Sequence, residues 1–386
     1  MSKIKKLSFD FFFELYENKN ILNPFQNVSH SNRELKTISK KNHDYKIEGS
    51  NKFFSVFFIP DYFTPQLDYS YYAIKKVSQF FRGYAIDLKE FKTVDEYLKF
   101  RFRSNAKAIR KKVRRLDTCF TIDSKFYYGT ISKEKYDFYM SCLYKMLVSR
   151  FEQRNDVNLL LLNWQKVEAL FFSLINEKKA SLFVISEEQR PIVISLSHHY
   201  DGHLFSAISS YDINFSKFSL GTIEIYKKLE WCLLNDHFIY EMGMGDLTYK
   251  KEWCNHIYNF EHTIIYPKKG LIIFIQAHIE FIKISLKEAI YKLCYKKYKE
   301  FKEKRKKQPT SSNVIVSEAI EINTEKELIK LNIYDEAYDY IRTNIYDFCY
   351  FNSDHIKNIT LFESVDEPNT FIIQGKSKMQ QLQFKK

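Results

Sequence analysis

One glycine-containing segment, Tyr240–Trp253, holds the residue types best suited to acid–base chemistry. The chain has only nine glycines, and two of them lie in this segment, where the backbone must approach a partner closely or adopt positive φ. Asp246 could act as a general base if it is partly desolvated, because burial raises the pKa of a carboxylate. Tyr249 could protonate a leaving group, and Lys250 could hold an anionic group of a substrate.

These residues also have structural interpretations, which the sequence leaves open. Asp246 could be the N-cap of a short helix over 247–253, a role that is compatible with catalysis. Tyr249 and Trp253 are four residues apart and could simply pack together on the core.

A second glycine-containing stretch, Phe218–Ile223, lies between an expected strand and an expected helix. The start of a helix presents unpaired amides and the positive end of the helix dipole, so it binds phosphate where glycine lets the ligand approach. The predicted phosphate site consists of Ser219, Leu220, Gly221 and Thr222. The alternative is an ordinary helix start that Ser219 caps, with Gly221 incidental.

The histidines and cysteines give weaker signals. His198, His199 and His203 lie on or beside expected strands without a carboxylate pair at a zinc-like spacing, so structural or solvent-facing roles are favoured over a metal site. His199 or His198 stays open as the base if its strand lines a cleft. The six cysteines are far apart and include no C-x-x-C pair, which favours reduced thiols in a cytoplasmic protein.

The net charge of +13 is concentrated in two basic stretches. Nine basic residues lie between Lys99 and Arg115, and eleven lie between Lys283 and Lys307. Both stretches have helical apolar periodicity, so a solvated helix face is the simplest interpretation. The alternative is anion binding, in which Arg103 and Arg110 would hold phosphates of a cofactor, a substrate or a nucleic acid.

The elements that would position these residues form a mixed α/β pattern. Thr93 and Glu96 have the form of a capping box that opens one helix reaching Leu116. Tight connections between three short strands indicate an antiparallel meander, and a helix between two further strands indicates a parallel crossover. The expected helices cover 93–116, 132–151, 163–177, 219–234, 270–307 and 324–344. The expected strands cover 52–60, 118–126, 180–186, 191–198, 203–209, 237–242 and 255–266.

From Thr93 to about Tyr266 the chain resembles the GNAT-fold acyltransferases. Within them it is most similar to the CelD-type (cellulose-biosynthesis-associated) acetyltransferase domain, which is related to Fem-type aminoacyl transferases. The resemblance rests on four features. They are a basic first helix (Arg101–Arg115), a Tyr-Asp pair (Tyr211 and Asp212), a Ser-x-Gly turn (Ser219–Gly221) and a Gly-Asp-x-x-Tyr-Lys ending (Gly245–Lys250). Leu220 replaces the family's proline, and the broader GNAT phosphate loop is not preserved.

The resemblance implies a GNAT-like mixed antiparallel and parallel sheet flanked by helices. It also implies transfer of an acyl group from acetyl-CoA or another acyl-CoA to an amine or hydroxyl by direct attack. The donor's pyrophosphate would lie on the amides of residues 220–222. Asp246, Tyr249 and His199 are then the candidate catalytic residues, and Tyr211, Asp212 and Lys250 are candidates for substrate binding.

Alternatives stay open for the identity of both the acceptor and the donor. The acceptor could be a small molecule or glycan, such as a sugar or a cell-envelope or polysaccharide precursor, or a protein lysine. An aminoacyl-tRNA or an acyl-carrier protein could be the donor. An alternative function that involves no catalysis is that of a binding module whose basic helices bind nucleic acid or an anionic surface.

The predicted organisation has four segments. Residues 1–92 form an N-terminal lobe, for which a degenerate half of a double GNAT arrangement is one interpretation. Residues 93–268 form the acyltransferase domain, 269–307 a long basic helix, and 308–386 a linker with a small appendage. No signal peptide or apolar run of about 18 residues is visible, so a cytoplasmic protein without a transmembrane segment is expected.

Overall fold

The computed structural model describes residues 4–21, 23–30, 33–34, 52–154, 160–305, 314–319 and 327–384. The chain divides into two compact units, neither of which is contiguous in sequence. The first comprises Met1–Lys92, Ser197–Ala207 and Cys232–Lys307, and the second comprises Thr93–Leu196, Ile208–Trp231 and Gln308–Lys386. The predicted boundary at residue 92 is therefore also a boundary between units, whereas the predicted segments 93–268, 269–307 and 308–386 are not themselves the units. The predicted linker at 308–313 lies outside the described residues.

The helices and strands alternate along most of the chain. The strands are β1 (Lys5–Asp10), β2 (Asn27–His30), β3 (Arg33–Glu34), β4 (Lys52–Pro60), β5 (Phe63–Gln66), β6 (Tyr72–Asp87), β7 (Ile122–Tyr127), β8 (Ala180–Glu187), β9 (Arg190–Tyr200), β10 (His203–Tyr211), β11 (Ile239–Met244), β12 (His256–Pro267), β13 (Val314–Ala319), β14 (Leu328–Leu331), β15 (Thr360–Ser364), β16 (Thr370–Gln374) and β17 (Met379–Phe384). The helices are α1 (Phe11–Tyr16), α2 (Val94–Phe102), α3 (Ala106–Cys119), α4 (Lys133–Arg154), α5 (Trp164–Asn176), α6 (Leu220–Leu234), α7 (Thr248–Trp253), α8 (Leu271–Arg305) and α9 (Asp339–Asn352).

The first unit is built on a mixed sheet in which the strands follow the order β1–β4–β12–β6–β11–β10. β1 with β4 and β10 with β11 are parallel pairs, and the pairs between them are antiparallel. The parallel pairing of β10 with β11 covers only His203–Phe205 against Ile239–Glu241. This confirms the predicted parallel crossover, because α6 lies between these two strands in the chain.

The long helix α8 packs on this sheet through one of its sides. Ile273, Ala277 and Ile284 are buried there in one cluster with side chains of β4 and β12: Phe53, Ile264 and Tyr266. The spacing of four and seven residues places these three helix residues on one face.

The meander predicted from the short strands is present, and its strands β9 and β10 are divided between the two units. Its strand order is β10–β9–β8–β7, and two-residue connections join β8 to β9 and β9 to β10. A second sheet has the order β13–β17–β16–β15–β14, and all of its pairs are antiparallel. Residues of α9 and of this second sheet share one core with Phe120, Phe215 and Phe218. The expected appendage is therefore part of the compact unit that contains β7 and β8.

Two expected helices are different in the structure. The capping bond of the first is present, since the Thr93 side chain accepts from the Glu96 amide, but the helix breaks at Arg103, which has a φ of 52°. Ser104 and Asn105 follow the break, and such residues favour local side-chain bonds over helix. The helix expected over 324–344 is wrong, because β14 occupies Leu328–Leu331 and α9 begins only at Asp339.

The expected strand over 118–126 begins later in the structure. α3 continues to Cys119, and β7 covers Ile122–Tyr127. The mixed α/β class with a large mixed sheet flanked by helices is confirmed. None of the helices in the described part of the chain combines the length and apolar character needed to cross a membrane.

The packing of Gly83 on β6 generates a prediction about stability. A Cβ at Gly83 would lie 2.0 Å from the ring of Tyr258, which is opposite it on β12. We expect Gly83→Ala to lower the free energy of unfolding by about 1–3 kcal/mol, because an enclosed ring must move. Urea unfolding measures this change. Gly221→Ala is the control, since the nearest atom is 4.0 Å away and helical alanine is favourable; equal effects of the two substitutions would contradict the prediction.

Candidate active site

The first unit encloses a carboxylate, that of Glu241, which the sequence analysis did not single out. Glu241 is fully buried and lies where the parallel pairing of β11 with β10 ends. Its Oε1 accepts hydrogen bonds from the Tyr258 hydroxyl at 2.6 Å and from the Gly243 amide at 2.8 Å. Its Oε2 accepts one from the Tyr62 hydroxyl at 3.0 Å. Each carboxylate oxygen therefore has a donor.

A β-bulge makes this arrangement possible. The register of β11 against β6 shifts between Glu241 and Gly243, and Gly243 has a φ of 71°. Only glycine adopts such a backbone without strain, and the bulge turns the Gly243 amide toward the carboxylate two residues before it.

Burial sets the proton affinity of this group. Desolvation raises the pKa of Glu241 to about 7, against the smaller opposing effects of Tyr258, Gly243, Tyr62 and Lys250. A carboxyl group that titrates near neutrality can accept and return a proton in general acid–base catalysis.

Lys250, predicted to hold an anionic group of a substrate, is buried against backbone, and its binding role stays a prediction. Its Nζ donates to the carbonyl oxygen of Met244 at 2.7 Å and is 3.4 Å from that of Gly243. Burial lowers the pKa of Lys250 to about 8, and the charge of Glu241 opposes this shift. Lys250 thus ties α7 to the glycine segment and contributes positive charge near Glu241.

Asp246 and Tyr249, the predicted base and acid, lie on the exposed side of the same segment. The Asp246 carboxylate is 45% exposed, accepts a bond from the Tyr84 hydroxyl and pairs with Lys251 at 2.6 Å. The alternative role of Asp246 as N-cap is wrong, because Leu247 is at that position without a side-chain cap. Tyr249 is 45% exposed and does not pack in the core, whereas Trp253 is buried. The catalytic roles of Asp246 and Tyr249 stay predictions.

The histidines are enclosed and mostly paired with other side chains. His199 Nδ1 is 2.8 Å from His237 Nε2, and His203 Nδ1 is 3.0 Å from the Tyr16 hydroxyl. Burial lowers the pKa of His198 to about 3, which makes it a weak base at neutral pH. Across the described ranges, no group of three or more His, Cys, Asp or Glu side chains is placed to hold a metal.

The predicted phosphate turn belongs to the second unit and has an unusual backbone. Ser219 adopts a left-handed conformation with φ 56° and ψ 48°, so it does not have the extended conformation typical of an N-cap. The Thr222 amide bonds to the Ser219 carbonyl at 2.8 Å, which removes it from the predicted set of phosphate donors. Leu220 is buried in the core.

An uncrowded glycine and a positive charge accompany this turn. The nearest atom to a Cβ placed on Gly221 is in the Tyr211 ring, 4.0 Å away. The Arg150 guanidinium lies 4.3 Å from the centre of that ring. Glu224, one turn into α6, is neutralised by Lys228 at 2.8 Å. The structure therefore brings Tyr211 to the turn, and an arginine that sequence reasoning missed lies over the same ring.

The other predicted binding residues have local partners. Asp212 accepts from the Asn214 amide at 2.9 Å and pairs with Arg190 at 3.0 Å, so it caps the turn that follows β10. Arg110 pairs with Asp95 at 2.9 Å on the surface of the second unit. Arg103 is exposed at the break between α2 and α3. Binding roles for these residues stay predictions.

The raised pKa of Glu241 predicts a pH dependence of stability. The pKa of Glu241 is 4.5 in the unfolded chain and about 7 in the folded protein. The contribution of Glu241 to the free energy of unfolding is therefore complete below pH 4.5 and is lost as the pH rises through about 7. Relative to Glu241→Gln, wild-type unfolding free energy should fall by about 3 kcal/mol across this interval. Urea unfolding at both ends of the interval measures the difference. Glu252→Gln, on the surface of α7, is the control, and identical pH profiles for wild type and Glu241→Gln would disprove the assignment.

Comparison with protein families gives a match over part of the chain. Residues 103–251 match the family model described as an acetyltransferase (GNAT) domain, which is less than half of the chain. The match confirms the likeness to GNAT acetyltransferases over this segment, and the closer likeness to CelD-type domains stays a prediction. No curated protein sequence matches the chain.

Solved structures give remote matches. A conserved protein of unknown function from Bacteroides thetaiotaomicron VPI-5482 is 8% identical, with 55% of this chain and 70% of that chain covered and a TM-score of 0.38. L-PGS from Bacillus licheniformis is 12% identical, with coverage of 58% and 72% and a TM-score of 0.35. FemX is 11% identical, with coverage of 47% and 61% and a TM-score of 0.36. At these scores the likenesses support no conclusion about activity.

Proposed function

We propose that the protein is an acyltransferase that moves an acetyl or longer acyl group from acyl-CoA to an amine or hydroxyl. The observation that carries the proposal is the match of residues 103–251 to the GNAT acetyltransferase domain. These residues include β10, α6 and β11, the crossover whose two parallel strands pair over only three residues. The free cysteines are compatible with a reducing cytoplasm.

The turn at 219–222 is the part of the second unit that we propose binds the donor. The support is the start of a fifteen-residue helix, the uncrowded position of Gly221 and the nearby Arg150. Amides at a helix start and a guanidinium are both suited to pyrophosphate. The described residues therefore fit acyl-CoA, although fewer amides are available than the sequence predicted.

Direct transfer requires a base for the acceptor proton. The acceptor oxygen or nitrogen attacks the thioester carbonyl, its proton passes to the base, and the coenzyme A thiolate leaves and is protonated. Glu241 has a suitable proton affinity but is fully buried, so we propose that the proton reaches it through the partly exposed Tyr62. Asp246 is the accessible alternative, with Tyr249 as acid and His199 next in order.

The acceptor that we propose is a small molecule or glycan, such as a sugar or cell-envelope precursor. Mass spectrometry of the acyl-CoA that co-purifies with the protein tests the donor class. Recovery of a charged tRNA or an acyl-carrier protein in its place would move the proposal to the alternative donors. Retention of oligonucleotide alone would favour the non-enzymatic module.

The donor site gives a prediction about affinity. Gly221→Val should weaken acyl-CoA binding at least tenfold, or about 1.4 kcal/mol, because a branched side chain fills the space beside the turn. Calorimetry with acetyl-CoA measures the change. Thr118→Val adds no bulk to the turn and serves as a control at an exposed position of α3. Unchanged affinity in a folded Gly221→Val protein would exclude the turn from the site.

The two candidate bases predict different kinetic results. If Glu241 acts through Tyr62, Tyr62→Phe and Glu241→Gln should each lower kcat roughly 10²- to 10⁴-fold with little change in KM for acyl-CoA. Asp246→Asn should then retain most of the activity. Tyr291→Phe, at an exposed position of α8, is the matched control. Loss of activity in Asp246→Asn alone would make Asp246 the base, and full activity in all three variants would refute both assignments.

A further inference from the structure

The helix α8 has apolar residues on two opposite sides, and only one side is covered by the sheet of the first unit. Ile273, Ala277 and Ile284 form the covered side. The opposite side is exposed over the first two-thirds of the helix. Its side chains are 46–75% exposed: Leu271, Ile272, Ile275, Ile279, Ile282, Leu286, Ile290 and Leu293. We call these eight residues the outer stripe.

The outer stripe is continuous and regular. Its members are separated by one to four residues, and at 3.6 residues per turn they fall within about 100° of one another. From Leu271 to Leu293 the stripe is about 33 Å long. Contiguous apolar surface of this extent marks an interaction site, whereas single exposed apolar residues are ordinary.

The charges around the stripe have one sign. Lys283, Lys287 and Lys292 are exposed on its flanks. The two acidic residues of the same stretch point the other way: Glu280 pairs with Lys6 at 3.0 Å, and Glu288 accepts from the Phe80 amide at 2.8 Å. The face that is open to a partner is therefore apolar and positive.

This charge pattern discriminates between possible occupants. A second copy of α8 laid along the stripe would bring flanking lysines against lysines, and like charges beside a helix seam oppose pairing. An anionic surface instead attracts the lysines while the isoleucines and leucines enter an apolar layer. Lysine side chains can bury their methylene groups and keep the ammonium at the level of lipid phosphates.

We propose that the outer stripe of α8 binds the surface of an anionic lipid bilayer, with the helix lying in the plane of the membrane. The sheet of the first unit holds the helix from behind, so no folding is needed on binding and the whole stripe is presented at once. The bilayer is contacted and not crossed. This surface is independent of the proposed acyl transfer and can be tested without an acceptor.

Flotation of the full chain with lipid vesicles tests the proposal. We expect at least tenfold tighter binding to phosphatidylcholine vesicles that contain phosphatidylglycerol than to phosphatidylcholine alone, and weaker binding at high salt. The variant Ile275→Ser, Ile282→Ser, Leu286→Ser should lose at least tenfold in affinity for the anionic vesicles. The variant Lys283→Gln, Lys287→Gln, Lys292→Gln should lose the preference for anionic lipid.

The matched control replaces three exposed apolar residues elsewhere in the chain: Leu162→Ser, Leu234→Ser, Ile329→Ser. It should bind vesicles as wild type does, and circular dichroism checks that every variant is folded. The proposal is overturned if the wild-type chain does not float with anionic vesicles, or if the control loses as much binding as the stripe variant. It is also overturned if sedimentation equilibrium shows a dimer that the stripe substitutions dissociate, or if the stripe binds an acidic helical peptide and not vesicles.

Discussion

A carboxylate removed from water must replace its hydration with hydrogen bonds, and the centre of the first unit is arranged around this requirement at Glu241. Tyr62, Tyr258 and the Gly243 amide supply the donors, each from a different part of the chain. The β5-adjacent turn, β12 and β11 are therefore held in one relative register by a single side chain. Removing any one donor would leave a buried charge partly unsatisfied, which is more costly than losing an ordinary surface bond.

The same requirement explains the distribution of glycine around this carboxylate. Tyr258 can reach Glu241 because Gly83, opposite it on β6, has no side chain in the way. Gly243 can turn its amide inward because its positive φ is accessible to glycine. The chain has only nine glycines, and two of them lie at close contacts around Glu241. At Gly83 the backbone approaches the Tyr258 ring, and at Gly243 the backbone approaches the carboxylate. Lys250 then closes the segment by donating to the Met244 carbonyl.

Aromatic side chains pack closely in the core of the second unit. Phe120, Phe215 and Tyr346 contact one another, with ring centres 4.5–5.1 Å apart. Arg190 donates to the Tyr346 hydroxyl at 2.8 Å and to Asp212 at 3.0 Å. The segment that follows β10 and leads to the turn before α6 is thus fixed by α9, from the C-terminal part of the chain. A ligand site on that turn would be supported by residues distant in sequence.

The sequence determined the features that depend on local pattern: the capping bond of Thr93, the strand at Lys52–Pro60 and the crossover around α6 all follow from spacing and residue type. It also located the glycine segment and the helix-start turn. Tertiary structure alone decided which acidic residue is enclosed, because burial of Glu241 and exposure of Asp246 depend on strands and side chains far away in the chain. The one sign in the sequence that Glu241 is enclosed was its position in an otherwise apolar strand, just before Gly243. Proton affinity is set by desolvation and by neighbouring charges, and neither is encoded in local spacing.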